Sequence, residues 1–146
     1  MNKKLIIFLF LFLLSVNIVS ARMSSKESYT RIKMFADNIN DRISNVPEEK
    51  YNKTISYMIS NWVEQSIGYK FYYYPRGIVT TWRYLEGDCS DKAELKYYML
   101  SYLGVKSRMV HGYDYFGVKH DTMEYWYNDM WNQHEYGFEK KGNGIW

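Results

Sequence analysis

The stretch GDCSDKAEL, Gly87 to Leu95, decides how this chain is read. An aspartate just before an apolar-periodic segment is a helix N-cap, because its side-chain oxygen accepts a backbone N–H of the first turn. Asp88 therefore predicts a helix running to about Leu103, with Gly104 ending it in the left-handed conformation that glycine tolerates. The predicted inward stripe is Cys89, Ala93, Tyr97, Leu100 and Leu103. The chain's one cysteine thus falls in the first helical turn. There a thiol meets the positive end of the helix dipole and unpaired backbone N–H groups, which favour thiolate. The same N–H groups, that of Cys89 included, suit an oxyanion. A single cysteine has no intramolecular partner, so three readings stand: a buried small hydrophobe, half of an intermolecular bridge, or a reactive thiol.

Downstream, alternating segments predict strands over 105–113, 118–127 and 130–137, the last two joined by a turn at Asn128-Asp129. A nucleophilic thiol needs a base, and the base an orienting group. His120 lies in the second strand and Glu135 in the third. If the loop spans Trp126 to Asp129, His120 stands directly opposite Glu135. A tighter Asn128-Asp129 loop sets Thr122 opposite Glu135 and His120 diagonal to it. Either register keeps both groups on one face, at about 5 Å or about 7–8 Å between Cβ atoms, whereas a one-residue slip separates them. The tail EKKGNGIW is Gly-rich and is expected to be irregular apart from Trp146.

Upstream, residues 22–50 read as a polar helix with Ile32, Phe35, Ile39 and Ile43 at helical spacing, and Pro47 opens the next element. Tyr51 to Ser66 reads as a second helix, with Ile55, Ile59, Trp62 and Val63 on one stripe and Gly68 at its end. GYKFYYYPRG, bounded by Pro75 and Gly77, reads as an extended segment or loop. Asn52-Lys53-Thr54 is a formal glycosylation acceptor, a weak pattern by itself.

The first residues form a separate unit. Lys3 and Lys4 precede an apolar run from Leu5 to Leu14, and Val19 and Ala21 are small residues at signal-peptidase spacing. The run is short for a membrane span, so residues 1–21 read as a leader cleaved near Ala21. Its removal leaves 17 of the 19 Lys and Arg against 16 Asp and Glu, so the net charge drops from +3 to +1. With no basic cluster, a nucleic-acid footprint is not supported. The 16 tyrosines and 5 tryptophans suit an aromatic core first and an aromatic groove second.

The segment from about Tyr69 to Tyr136 resembles the core of the transglutaminase-like superfamily, relatives of the papain-type cysteine enzymes. Gly87, Cys89, Asp91, Ala93 and Leu95 match that family's Gly-x-Cys-x-Asp/Glu-x-Ala-x-Leu pattern, and LGVKSRMVHGY matches its following strand. His120 has Glu124 at +4, Trp131 at +11 and Glu135 at +15, the spacing of the family's histidine strand. Thr122 stands where the family usually has tryptophan, and Glu135 where it usually has aspartate. The resemblance implies Cys89 as nucleophile, His120 as general base and acid, and Glu135 as orienter. It implies an α+β fold in which a central helix carrying the cysteine packs on an antiparallel β-sheet, preceded by N-terminal helices.

Other residues compete for these roles. His111, in the preceding strand, is an alternative base. His134 and Asp121 have the wrong strand parity, and Glu124 suits a salt bridge to Arg108. Trp82 is either a core residue or, with the Cys89 N–H, a contributor to an oxyanion site. The three histidines and one cysteine have no metal spacing, and no cofactor is expected. The expected organisation is a leader (1–21), an N-terminal helical segment (22–67) and a catalytic core (68–146). The expected protein is a secreted or cell-envelope enzyme. It would act on peptide, protein or cell-wall peptide amides through a thioester, with water preferred as acceptor. An inactive binding module and a cross-linking transferase are the alternatives.

Overall fold

The computed structural model describes residues 23–135 and 138–145; the leader expected over 1–21, Tyr136, Gly137 and Trp146 lie outside the described residues. Helix α1 (Ser25–Asp41) opens where the Ser24 side chain accepts the Glu27 N–H, and it buries Ile32, Ala36 and Ile39. The helical reading of 22–50 ends earlier than expected, at Arg42, while Pro47 opens the next element as expected. The chain turns at Arg42, and α2 (Glu48–Ser66) begins only after Pro47. Proline's fixed φ and missing N–H suit the entry to a helix and not its interior. Ile55, Ile59 and Val63 of α2 enter the same core as α1.

The aromatic stretch is mostly loop. Its first residues form β1 (Gly68–Tyr69), which pairs in parallel with β2 (Glu86–Gly87). Between them lies α3 (Ile78–Tyr84), a short helix the sequence reading did not foresee. Tyr72 and Arg76 both reach the Glu86 carboxylate, which ties the loop back onto β2.

Helix α4 (Cys89–Tyr102) follows directly, and its first turn explains the Gly-x-Cys-x-Asp spacing. Asp88 accepts the Asp91 N–H at 3.1 Å, and Asp91 Oδ2 accepts the Asp88 N–H at 3.2 Å, a reciprocal capping box. The other Asp91 oxygen accepts the N–H groups of Arg76 (2.7 Å) and Gly77 (3.1 Å). A fully buried carboxylate thus pins the preceding loop to the cysteine helix. Gly87 is required by this packing, since a Cβ there would lie 2.7 Å from Asp91 Cβ. Gly104, at φ +77°, ends the helix. The inward stripe differs from expectation: Tyr97 is exposed, while Lys92 and Lys96 are buried beside Ala93, Leu95, Met99 and Leu100. The two ammonium groups both pair with the Glu64 carboxylate at the edge of the packed face, which is what allows charged side chains there.

Strands β3 (Ser107–Tyr113), β4 (Lys119–Tyr127), β5 (Met130–Asn132) and β6 (Glu139–Ile145) form an antiparallel sheet in the order β5-β4-β3-β6. The molecule is α+β, with α4 packed on β4 and β3. Asn128 and Asp129 both have positive φ (51° and 57°), the two-residue turn whose twist matches a hairpin. This gives Tyr127↔Met130 and Tyr125↔Asn132, the tighter of the two registers considered. The third strand is shorter than expected. It leaves the ladder after Asn132, so Glu135 approaches β4 from a non-strand segment. The tail, expected to be irregular, is instead strand β6 on the free edge of β3. Gly112 makes the pairing possible: any Cβ there would collide with the Glu139 carbonyl oxygen and the Phe138 ring.

One core joins the helices to the sheet, with Ile32, Ile39, Ile55, Ile59, Val63, Leu95, Met99, Met123 and Tyr125 in a single cluster. Among the described residues, no helix is long and apolar enough to cross a membrane.

Candidate active site

The N-terminus of α4 abuts the start of β4, and consecutive residues meet consecutive residues. Cys89 lies beside His120, close enough to raise the pKa of its ring, and Ser90 Oγ donates to Asp121 Oδ2 at 2.5 Å. Cys89 is partly exposed and lines an open cleft of ≈ 330 Å³ together with Glu64, Tyr69, Lys92, His120, Asp121 and Glu135. His120, Asp121 and Glu135 thus share one cleft with the thiol, although His120 and Asp121 have opposite strand parity.

The His120 ring bridges two groups. Nε2 meets Glu135 Oε2 at 2.5 Å, and Cys89 is the other group that favours the charged ring. The interaction with Cys89, reinforced by Glu135 and opposed by burial, lifts the His120 pKa from 6.5 to about 10. Burial pushes the Glu135 carboxyl up, but the His120 hydrogen bond, the Lys96 charge and the Thr122 hydroxyl outweigh it and hold the pKa at about 2. At neutral pH the cleft therefore holds an imidazolium paired with a carboxylate.

The Glu135 carboxylate has further partners: Thr122, which the tighter register set opposite it, and a lysine that sequence reading missed. Thr122 Oγ1 donates to Oε1 at 2.6 Å, and Lys96 Nζ lies 3.0 Å from the same oxygen. Lys96 also meets Glu64 Oε1 at 2.7 Å, and Lys92 meets Glu64 Oε2 at 2.9 Å. The tight turn explains the Thr122 contact, since it sets Thr122 and not His120 in line with Glu135. The lysines left a trace: Cys89, Lys92 and Lys96 recur at i, i+3 and i+7, one helical stripe. A smaller cavity of ≈ 150 Å³ opens behind the carboxylate, lined by Tyr57, Ser60, Thr122 and His134 among others.

The competing residues are elsewhere engaged. His111 Nδ1 pairs with Asp121 Oδ1 at 2.5 Å, across the β3–β4 ladder. His134 stacks on Tyr125 with ring centroids 4.7 Å apart, and its burial lowers its pKa. Glu124 pairs with Arg108 at 2.7 Å, the partner expected, and also with Lys140. Trp82, considered for the oxyanion site, packs instead against Phe35 and Trp62 and is not among the residues lining the cleft. The N–H of Cys89 lies at the N-terminus of α4, where helix N–H groups have no intrahelical acceptor.

A family model described as "Transglutaminase-like superfamily" matches residues 33–140, well over half of the chain. No curated protein matches the sequence. Among solved structures, a candidate cysteine protease from Cytophaga hutchinsonii superposes with a TM-score of 0.62 at 18% identity, over 77% of this chain and 41% of that one. A structure described as a TGase gives 0.56 at 14% identity, over 78% and 36%. Legionella pneumophila LapG gives 0.52 at 17% identity, over 77% and 64%. At these identities the likeness concerns the fold, and the chain spans less than two thirds of each of these proteins.

Proposed function

The chain belongs to the transglutaminase-like superfamily, and on that premise we propose that it is a cysteine peptidase or amidase working through Cys89, His120 and Glu135. The observation that carries the reading is the imidazole set between a thiol and a partly buried carboxylate in one open cleft. A cation beside the sulfur favours the thiolate, as does the helix N-terminus.

In the proposed reaction the Cys89 thiolate adds to the carbonyl carbon of an amide. The carbonyl oxygen takes the negative charge and is met by N–H groups at the start of α4, that of Cys89 included. When the tetrahedral species collapses, the C–N bond breaks and the His120 imidazolium gives its proton to the departing amine. A thioester remains on Cys89. Neutral His120 then takes a proton from water, the hydroxide attacks the thioester carbon, and the C–S bond breaks to release the acid. The thiolate and the imidazolium are restored. Glu135 stabilises the imidazolium and fixes the ring without itself taking the proton.

The substrate in this reading is a peptide, a protein or a cell-wall peptide, met outside the cytoplasm after residues 1–21 are removed as a leader. N-terminal sequencing of the exported protein should begin near Arg22; a membrane-bound product beginning at Met1 would overturn the leader. The chemistry is tested by incubating the protein with a panel of peptides and wall fragments, quenching in acid, and weighing the intact chain. An acyl adduct on Cys89 that is absent in Cys89→Ala supports the reading, and products formed with and without an added amine separate hydrolysis from transfer. Absence of any adduct, together with no product, would sink it.

A further inference from the structure

From the contacts of the Glu135 carboxylate we infer that Lys96 is a positioning residue for the catalytic pair, and that Glu64 of α2 balances it. This rests on the reading of His120 and Glu135 as the pair serving Cys89. Lys96 has a side chain only 3% exposed and stands between two carboxylates, Glu64 at 2.7 Å and Glu135 at 3.0 Å. Thr122 donates to the same Glu135 oxygen at 2.6 Å. Oε1 is therefore held by two donors from two elements, α4 and β4, and Oε2 is left for His120. A glutamate side chain has one more rotatable bond than an aspartate, and fixing it costs rotamer entropy. Two donors on one oxygen supply that fixation and aim the other oxygen at the imidazole.

The arrangement also sets how firmly the proton sits on His120. Lys96 and His120 share the charge of one carboxylate, and Glu64 draws Lys96 away from it. Lys92 in turn shares Glu64. The other polar groups lining the cleft around the pair are Cys89 on α4, Asp121 on β4 and Tyr69 on β1, with His134 on the far side of Glu135. Glu64 belongs to α2, within the N-terminal helices, so those helices act on the imidazole through a chain of three charged side chains. The signs follow from charge alone. Without the Lys96 ammonium the whole Glu135 charge falls to His120, and the imidazolium gains. Without the Glu64 charge, Lys96 turns wholly to Glu135, and the imidazolium loses.

The test is an NMR titration of the His120 ring in the full chain carrying Cys89→Ala, which removes the thiol from the titration. Adding Lys96→Met should move the midpoint up by about half a pH unit or more, and adding Glu64→Gln should move it down. Both shifts should shrink to a small fraction when Glu135→Gln is also present, because the effect passes through that carboxylate. Midpoints that stay put in both variants would overturn the inference, as would shifts that persist at full size with Glu135→Gln. Should Lys96→Met fail to fold, Glu64→Gln decides alone, since the Glu64 side chain is 46% exposed and tolerates the change. The titration needs no turnover, so its failure is distinct from a failure to acylate Cys89.

Discussion

Replacing Glu135 with glutamine removes one charge from the cleft and keeps the side chain's size. In the native protein the carboxylate is the second support of the His120 imidazolium, after Cys89, and burial opposes both. A hydrogen bond to a charged group contributes about 1.5–3 kcal/mol, against about 1 kcal/mol for a neutral pair. The imidazolium in Glu135→Gln therefore loses about 0.5–2 kcal/mol, which at 1.36 kcal/mol per pKa unit lowers its pKa by about one unit. Losing the fixed ring orientation adds to this, and together they predict a fall in turnover on the order of a hundredfold, or about 2.7 kcal/mol of barrier. The assay that needs no substrate is iodoacetamide alkylation of Cys89 followed from pH 5 to 10. Wild type should react readily at pH 7 and change its profile as His120 loses its proton near pH 10. Glu135→Gln should shift that alkaline inflection down by about one unit. Lys96 retains Glu64 as a partner in the variant, so the fold should survive, which circular dichroism checks. Alkylation profiles that superimpose for wild type, Glu135→Gln and His120→Ala would refute the reasoning, because neither group would then influence the thiol.

Further outcomes follow from the same geometry. Cys89→Ala should abolish turnover while leaving the protein folded by circular dichroism; a variant that still turns over would remove Cys89 from the mechanism. Stability should depend on pH through His120 and Glu135. The raised His120 pKa contributes fully below about 6.5 and is lost as pH rises through about 10, and the lowered Glu135 pKa contributes fully above 4.5 and is lost as pH falls through about 2. Urea midpoints should thus decline from pH 6.5 to 10 in wild type and less so in His120→Gln; equal slopes would show that the native imidazole gains nothing from its partners. Gly87→Ala should destabilise by about 1–3 kcal/mol, because the new Cβ forces Asp91 off the loop it pins, and a neutral result would mean the loop yields freely. His134→Ala should lose packing against Tyr125 but keep alkylation at pH 7 close to wild type, and a large loss of alkylation would reassign the base.

The helix start at Asp88, the glycine after its end and the Asn128-Asp129 hairpin were all legible in the chain, because each depends on residues within a few positions of one another. Strand parity was legible too, but it does not reach Glu135, which lies beyond the end of β5 and meets His120 from a non-strand segment. The two-residue turn selects between the registers by its backbone twist, a preference that composition at 128–129 expresses only weakly. The Gly-x-Cys-x-Asp pattern was visible as a resemblance, but its cause was not. Asp91 bonds the backbone of Arg76 and Gly77, fifteen and fourteen residues away, and nothing local to either segment announces the contact.

What the amino-acid order determined by itself is therefore a cysteine at a helix N-terminus, a histidine strand and an acid reached through a hairpin. The folded chain decided which charges go inside. Lys92 and Lys96 are charged side chains that would ordinarily face water, yet Glu64 from α2 and Glu135 from beyond β5 make their burial favourable. It also decided that Trp82 joins Phe35 and Trp62 between the helices, and that the Gly-rich tail becomes an edge strand over Gly112. In each case the partner lies on another element and far along the sequence. The interaction forms only once the intervening chain has closed, and a side chain's own neighbours carry no record of it.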